Sequence, residues 1–536
     1  MIMKGIFLAI TALIILACSC NKNGISVNAD FTVSKNACDI GEPIEVFNKS
    51  TVNGTIVGLC KWEWDGNVSY DYDLEVVSFS SKGEHTITLT IYAEEGVVKP
   101  STCSQTVVVA DSHALAVEWS KEYDTKGYVY WTSPAISPDG NLVYVSSTGY
   151  HLVCFDSKGN QKGSFNIGSK GANPYSSSSI NNQSPTPSVD SEGNVYIAVQ
   201  FYENPTTTTD GNGGLFSVKP MCSGENWYFP TGKTSSYRFL APPIYNDYIA
   251  LCLRSHDGSL IPDNAGIIRR QTGELVQALT CDQGSFGGAA FNRDGTLVYG
   301  AARENAGYKV ARRDSDVWTT SANSDAGRLT NLLNAMGYTK GFQPAISNDG
   351  YIYLCVSTGD SQEMVCALYN LAEYTAGSSL AAEWTTTVAT TTYQCGFGAV
   401  LDEAGNAYYL GGNKLFRLNR DDGTLDWSID LTSGCVGVPA IDSAGFLYVC
   451  VPNDDKVIKV DSVDGRVVAQ VAVPFPKSCP TIATDGSVYV TANKNNKPAL
   501  YKIVGTGANK TTAPGRNWSQ LGCNPQKSGL APDNAN

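Results

Sequence analysis

The chain has 536 residues, with 51 Asp and Glu against 38 Lys and Arg and a formal net charge of −13. That length exceeds one ordinary hydrophobic core, so two or more domains are expected. The acidic balance, without a basic stripe anywhere, argues against nucleic acid as a partner, because phosphates need clustered Lys and Arg. A charged fraction of 17%, 52 Gly and 28 Tyr suit an all-β globular protein.

The first twenty residues, MIMKGIFLAITALIILACSC, place Lys4 before an apolar run from Gly5 to Ala17 and then two cysteines. The run is short for a membrane span and fits an export signal. It resembles a bacterial lipoprotein signal, in which the cysteine after a small residue is diacylated and becomes the mature N-terminus. Ile15-Leu16-Ala17-Cys18 has a large aliphatic residue three before the cysteine and Ala just before it, which makes Cys18 the expected lipidation site and Cys20 the alternative. The resemblance implies that residues 1–20 are signal and lipidation site. It also implies that acyl chains moor an exported protein to the outer membrane, at the cell surface or the periplasmic face.

From 27 to 111 the pattern is that of short strands. Gly41 to Asn48 and Gly83 to Ile91 alternate with period two, and Trp62-Glu63-Trp64-Asp65-Gly66 lies between them. This predicts an immunoglobulin-like sandwich. The run resembles a PKD (polycystic kidney disease) domain, although only Trp64-Asp65 and a displaced Gly66 stand where that family has its Trp-Asp-Phe-Gly-Asp-Gly signature. Cys38, Cys60 and Cys103 are odd in number, so at most one internal bridge can form.

The remainder, 115–530, reads as copies of one unit. In Gly341 to Thr358 an apolar run, Pro344-Ala345-Ile346, meets the turn Asp349-Gly350 and a second run, Tyr351 to Val356; this is a β-hairpin. Seven further segments repeat it, with turns at Gly140, Gly193, Asp247, Gly295, Gly405, Gly445 and Gly486, spaced 40 to 55 residues apart. After each hairpin comes a third strand such as Lys414 to Leu418, a turn such as Asp421-Asp422-Gly423, and a fourth strand carrying Trp427. A strand-only repeat of this length predicts a β-propeller of eight four-stranded blades. The order of turn and tryptophan resembles the quinoprotein-like (PQQ-like) repeat family, whose blades end in Asp-x-x-Thr-Gly-x-x-x-Trp. Val117 to Lys121 precedes the first hairpin and is expected to close the ring as the fourth strand of the last blade, removing an open edge. Asn517 to Gly522 resembles a Trp-containing segment found at the ends of such propellers.

Strands of a blade alternate in direction, so the loops joining first to second and third to fourth strands share one face. These are mostly tight turns. The loops of the opposite face are long: Gly168 to Gln183, Phe201 to Gly213, Phe229 to Tyr237, Arg254 to Asn264 and Thr319 to Lys340. Within the last of these, Asp325 to Met336 has the apolar spacing of a short helix. Binding usually resides on long loops held by a rigid scaffold. Tyr175, Tyr202, Trp227, Tyr228, Tyr237, His256 and Tyr338 lie in or beside them, with Asn182, Gln183 and Asn204. Rings next to amides suit a glycan, whose C–H faces stack and whose hydroxyls need polar partners, and suit a protein partner almost as well.

Sixteen cysteines in an exported chain first bring disulfides to mind. Cys252, Cys355 and Cys450 share a slot with small residues in the other repeats, however, and read as packing residues. Cys395, Cys435 and Cys479 precede innermost strands and converge toward the channel, where a disulfide or metal is conceivable, but their offsets differ.

Catalytic constellations are scarce. The four histidines, His85, His113, His151 and His256, show no metal-ligand spacing. Gly232-Lys233-Thr234 lacks the first glycine of a phosphate loop, no Gly-x-Ser-x-Gly elbow occurs, and the vicinal cysteine pair of quinone-dependent dehydrogenases is missing. The expectation is a protein without cofactor or metal that binds and does not catalyse. Its first reading is glycan or protein binding at the cell surface. The second is a periplasmic scaffold resembling the propeller lipoprotein of the outer-membrane insertion machinery. A carbohydrate-active enzyme, whose acids need no local motif, is the third.

Overall fold

The computed structural model describes residues 26–531 except 55, 95–97, 125–126, 150, 171–184, 203–210, 235–240, 253–254, 260, 262–263, 281–287, 301–307, 315–316, 321–338, 342, 359–361, 376–379, 392–397, 433–434 and 436. The helix expected within Asp325 to Met336 and the lipidation candidates Cys18 and Cys20 lie outside the described residues. Two compact units divide the chain, Met1–Ser112 and His113–Asn536.

The first unit is all strand. A five-stranded sheet takes Ala37–Asp39, Ser101–Ala110, Gly83–Ala93, Val57–Trp64 and Asn67–Ser69 in spatial order, and a three-stranded sheet takes Phe31–Val33, Ile44–Asn48 and Val76–Val77. Period-two alternation sends Ile87, Leu89 and Ile91 inward while Thr86 faces solvent. They close on Trp62, whose ring meets Phe31 edge-on at 5.2 Å and whose indole N–H donates to the Asp71 carbonyl at 3.1 Å. His85 sits between the Asp65 carboxylate (2.8 Å) and the Ser81 carbonyl (2.7 Å). Two acceptors, the Asp65 hydrogen bond foremost, favour the imidazolium and raise its pKa. Cys38 and Cys60 are buried and Cys103 is partly exposed.

The second unit contains eight successive sheets among the described residues, called blades 1 to 8 here. Blade 1 is built from Ala135–Ile136, Leu142–Ser146, His151–Asp156 and Gln161–Asn166, hydrogen-bonded in that order. Blade 8 takes three strands from the end of the repeat array, Thr481–Ile482, Val488–Lys494 and Lys497–Gly505. Its outermost strand, Leu115–Glu122, comes from before blade 1. Thr132 bridges to Ser478, and the Ser133 hydroxyl lies 3.0 Å from that of Thr481, so the inner strands also close on one another. The two ends of the array are thus joined within one sheet.

Two repeated devices explain why this sequence makes blades. Inside each of blades 2, 6 and 7, the hairpin tyrosine donates its hydroxyl to the aspartate of its own turn: Tyr196 to Asp190 at 2.8 Å, Tyr408 to Asp402 at 2.8 Å, Tyr448 to Asp442 at 2.9 Å. The other oxygen of each carboxylate accepts turn N–H groups, as Asp442 does from Ala444 and Phe446 at 3.0 Å. Between blades, a fourth-strand tryptophan covers the glycine of the next blade's turn and donates its indole N–H to a carbonyl there. Trp119 reaches Ser157, Trp227 reaches Arg270, Trp384 reaches Arg420 and Trp427 reaches Ser462, at 2.6–3.2 Å. The turn glycine has to be glycine. At Gly465, with φ +75°, a Cβ would lie 2.6 Å from the Trp427 ring.

Candidate functional site

The two ring faces are built differently. On the face of the tight turns, the segment 514–531 lies across the array and hydrogen-bonds to one inner strand after another. Carbonyls of Trp518, Ser519, Pro525, Gln526, Ser528 and Gly529 accept from the N–H groups of Leu401, Ile441, Ile136, Val189, Ile244 and Phe291 at 2.7–2.8 Å. The Gln520 side chain accepts from Ile482 at 2.9 Å, and that of Asn517 from Asn348 at 3.3 Å. Each of the eight blades therefore ties to this one plug. Trp518 is buried beneath it, and the plug leaves a depression of ≈ 240 Å³ bordered by Arg293, Arg516, Asn517 and Asn524. Lys527 is fully buried, with its Nζ 3.5 Å from Gln520 Oε1, and burial pushes its pKa down to about 7. Asp190, Asp402 and Asp442 of this face are engaged in their own turns, and Arg270 pairs with Asp190 at 2.6 Å.

On the opposite face, among the described residues, blades 2 and 5 are extended by added strand, whereas the hairpin connections of blades 6 to 8 are short. In blade 2 the strands Val195–Tyr202, Gly211–Val218 and Glu225–Thr234 run on past the ring, and a fifth strand, Ser255–Ser259, joins them from the connection within blade 3. The sequence pattern assigned 201–213, 229–237 and 254–264 to loops. Instead their ends are strands, because hairpin pairing propagates outward once the ladder is started. Blade 5 is extended likewise: Thr339–Gly341 pairs with the far end of Tyr351–Thr358. The candidate phosphate loop, Gly232-Lys233-Thr234, lies within a strand.

The expected ligand-binding residues are distributed as follows. Tyr175, Tyr237 and Tyr338 lie outside the described residues. Tyr202 and His256 are brought onto one sheet: Tyr202 pairs with Gly211, Gly211 with Thr234, and Thr234 with Ser255, the neighbour of His256. Trp227 and Tyr228, both half-buried, are engaged in packing within the ring. The Trp227 ring covers Gly273 as the blade-docking tryptophan, with its N–H satisfied at 2.9 Å. Tyr228 packs against Phe216 at a tilt of 44°, with ring centroids 4.6 Å apart, and donates to the Gly213 carbonyl at 3.2 Å; burial raises its pKa to about 12. Their sequence neighbours suggested a loop, but their register in Glu225–Thr234 sends both rings into packing.

Cys435 and Cys479 do converge, as part of a buried cluster around Trp131, and the Cys479 sulfur accepts from the Val438 N–H at 3.3 Å. Cys395 lies outside the described residues. Among the described residues no group of three His, Cys, Asp or Glu side chains is arranged to hold a metal ion. Cys355 and Cys450 are buried, whereas Cys252 is partly exposed. The signal missed by sequence reasoning is the partner of Cys355: Cys366 stands directly across the hairpin.

Comparison with protein families matches residues 377–490 to the family described as outer membrane protein assembly factor BamB. Among solved structures, the chain is similar to BamB from Moraxella catarrhalis, at 11% identity and a TM-score of 0.44, over 73% of this chain and 97% of that one. It is similar to the quinohemoprotein alcohol dehydrogenase of Comamonas testosteroni, at 10% identity and a TM-score of 0.46, over 73% and 77%. It is also similar to apo AztD of Citrobacter koseri, at 12% identity and a TM-score of 0.40, over 78% and 96%. A comparison with curated proteins returns no match. The chain is an all-β protein with an array of eight propeller-like sheets among the described residues, and residues 377–490 are similar to the BamB family.

Proposed function

We propose that this is an exported, lipid-anchored scaffold that binds a protein partner through the irregular face of blades 2 to 5 and performs no chemistry. The observation that carries this reading is the five-stranded sheet of blade 2. Its outer strand, Ser255–Ser259, pairs on one side only among the described residues, and such an edge offers backbone donors and acceptors to an incoming strand. Removal of Trp227 and Tyr228 from the binding set leaves the stacking platform for a glycan short of two rings, which favours protein over sugar. The match of residues 377–490 supports an assembly role at the periplasmic face of the outer membrane over a surface role.

A photoreactive amino acid at His256 or at Tyr202 is expected to crosslink a discrete partner in cells, while one at Asp485 on the plugged face is not. Equal crosslinking from both faces overturns the assignment. Protease treatment of intact cells spares a periplasm-facing protein and cuts a surface one. Labelled palmitate incorporation that is lost on Cys18→Ala, and kept on Cys20→Ala, tests the anchor and its site.

A further inference from the structure

Within blade 5, Cys355 on Tyr351–Thr358 is the direct cross-strand partner of Cys366 on Glu363–Asn370, and their sulfurs are 3.5 Å apart. Directly opposed residues of an antiparallel pair hold their Cβ atoms at about 4.5–5.5 Å, close to what a disulfide spans, so bond formation asks only a slight approach. Both side chains are buried, at 2% and 0% exposure, in the hydrophobic cluster that also holds Tyr353, Met364, Leu368 and Tyr409. One residue beyond Cys355, Val356 pairs with Gly341 of the added strand Thr339–Gly341. The pair thus stands at the root of the blade 5 extension, where the regular ladder passes into the irregular face.

We propose that Cys355 and Cys366 are a disulfide-forming site, oxidised by exchange with a small-molecule or protein disulfide, and that the bond staples the base of this extension. One cysteine attacks the oxidant as its thiolate. The oxidant's S–S bond breaks, one of its sulfurs leaves and takes up a proton, and a mixed disulfide remains. The second cysteine, having lost its own proton, attacks the protein sulfur of that mixed disulfide, forms the Cys355–Cys366 bond and expels the other thiol. Two protein thiols are oxidised and one disulfide is reduced to two thiols. Because both sulfurs are buried in the finished blade, exchange takes place before the blade closes or during its opening. The proposal does not depend on which partner the irregular face binds.

The test uses the full chain, refolded in mixed reduced and oxidised glutathione, then denatured in iodoacetamide without reductant and digested. The peptides bearing Cys355 and Cys366 are expected as one unalkylated, crosslinked species, about 2 Da lighter than the two thiol peptides together. Reductant added before alkylation should separate and label both. In the Cys366→Ser variant Cys355 should take up the label, a readout in denatured protein that holds whether or not the variant folds. Alkylation of both cysteines in the refolded wild type, or recovery of either one paired mainly with another cysteine, overturns the proposal. The link present after refolding but absent from protein taken from cells supports the site and counts against export alone.

Discussion

The two faces of the propeller put the same strands to different uses. On the turn face aspartates such as Asp190, Asp402 and Asp442 are held by their own turns and tyrosines, and one segment, 514–531, joins the blades. On the other face the ladder simply continues in blades 2 and 5, and strands are borrowed across blades. The contrast teaches that regularity is enforced where polar groups must be satisfied inside the ring, and relaxed where they reach solvent. Variation for binding then costs the framework little.

The largest way to break this contrast is to remove the plug's anchor. Trp518→Ala is expected to destabilise the second unit by about 3–5 kcal/mol, the cost of emptying a fully buried indole site, read as a shift in the urea midpoint. Next comes the exchange of a binding role for a docking one. Trp227→Ala and Trp427→Ala, equivalent in position though on differently elaborated blades, should each cost roughly 2–4 kcal/mol. Equal losses place Trp227 in the framework; a stable Trp227→Ala protein that loses its partner returns it to the binding face.

A smaller effect, of opposite sign, is expected at Lys527. Its folded pKa, about 7, lies below that of the unfolded chain, so the unfolded state binds more protons between pH 7 and 10.5 and stability rises with pH across that window. Lys527→Met should flatten this slope and stabilise the protein at pH 7 by roughly 1–3 kcal/mol, since it replaces a buried amine with a single long polar contact. A slope unchanged in the variant would assign the pH dependence to other groups. Smallest is Tyr228→Phe, which removes one hydrogen bond to Gly213 and should cost about 1 kcal/mol by thermal unfolding, leaving crosslinking at His256 intact.

Much of the framework was legible in the chain. Turn glycines such as Gly445 and Gly486 recur with an alternating apolar run behind them, and Val117 to Lys121 had no blade of its own except the last. Trp227 was legible too. It follows the turn Ser223-Gly224 as Trp427 follows Asp422-Gly423, and weighing that position above the polar residues after it would have identified a docking tryptophan. The fifth strand of blade 2 was not legible, because Ser255-His256-Asp257-Gly258-Ser259 has no apolar alternation and owes its structure to a neighbour's ladder. Nor was the facing of Cys355 by Cys366, since pairing depends on the register of a hairpin whose turn residues carry no Asn-Gly or Asp-Gly marker.

Residues 514–531 follow every blade in the chain, and Leu115–Glu122 precedes them all; blade 8 needs the one and the ties between blades need the other. A chain cut short before residue 514 would carry every blade and still lack a segment that touches all of them. Rigidity of the disc is thereby made to depend on a segment that belongs to no blade.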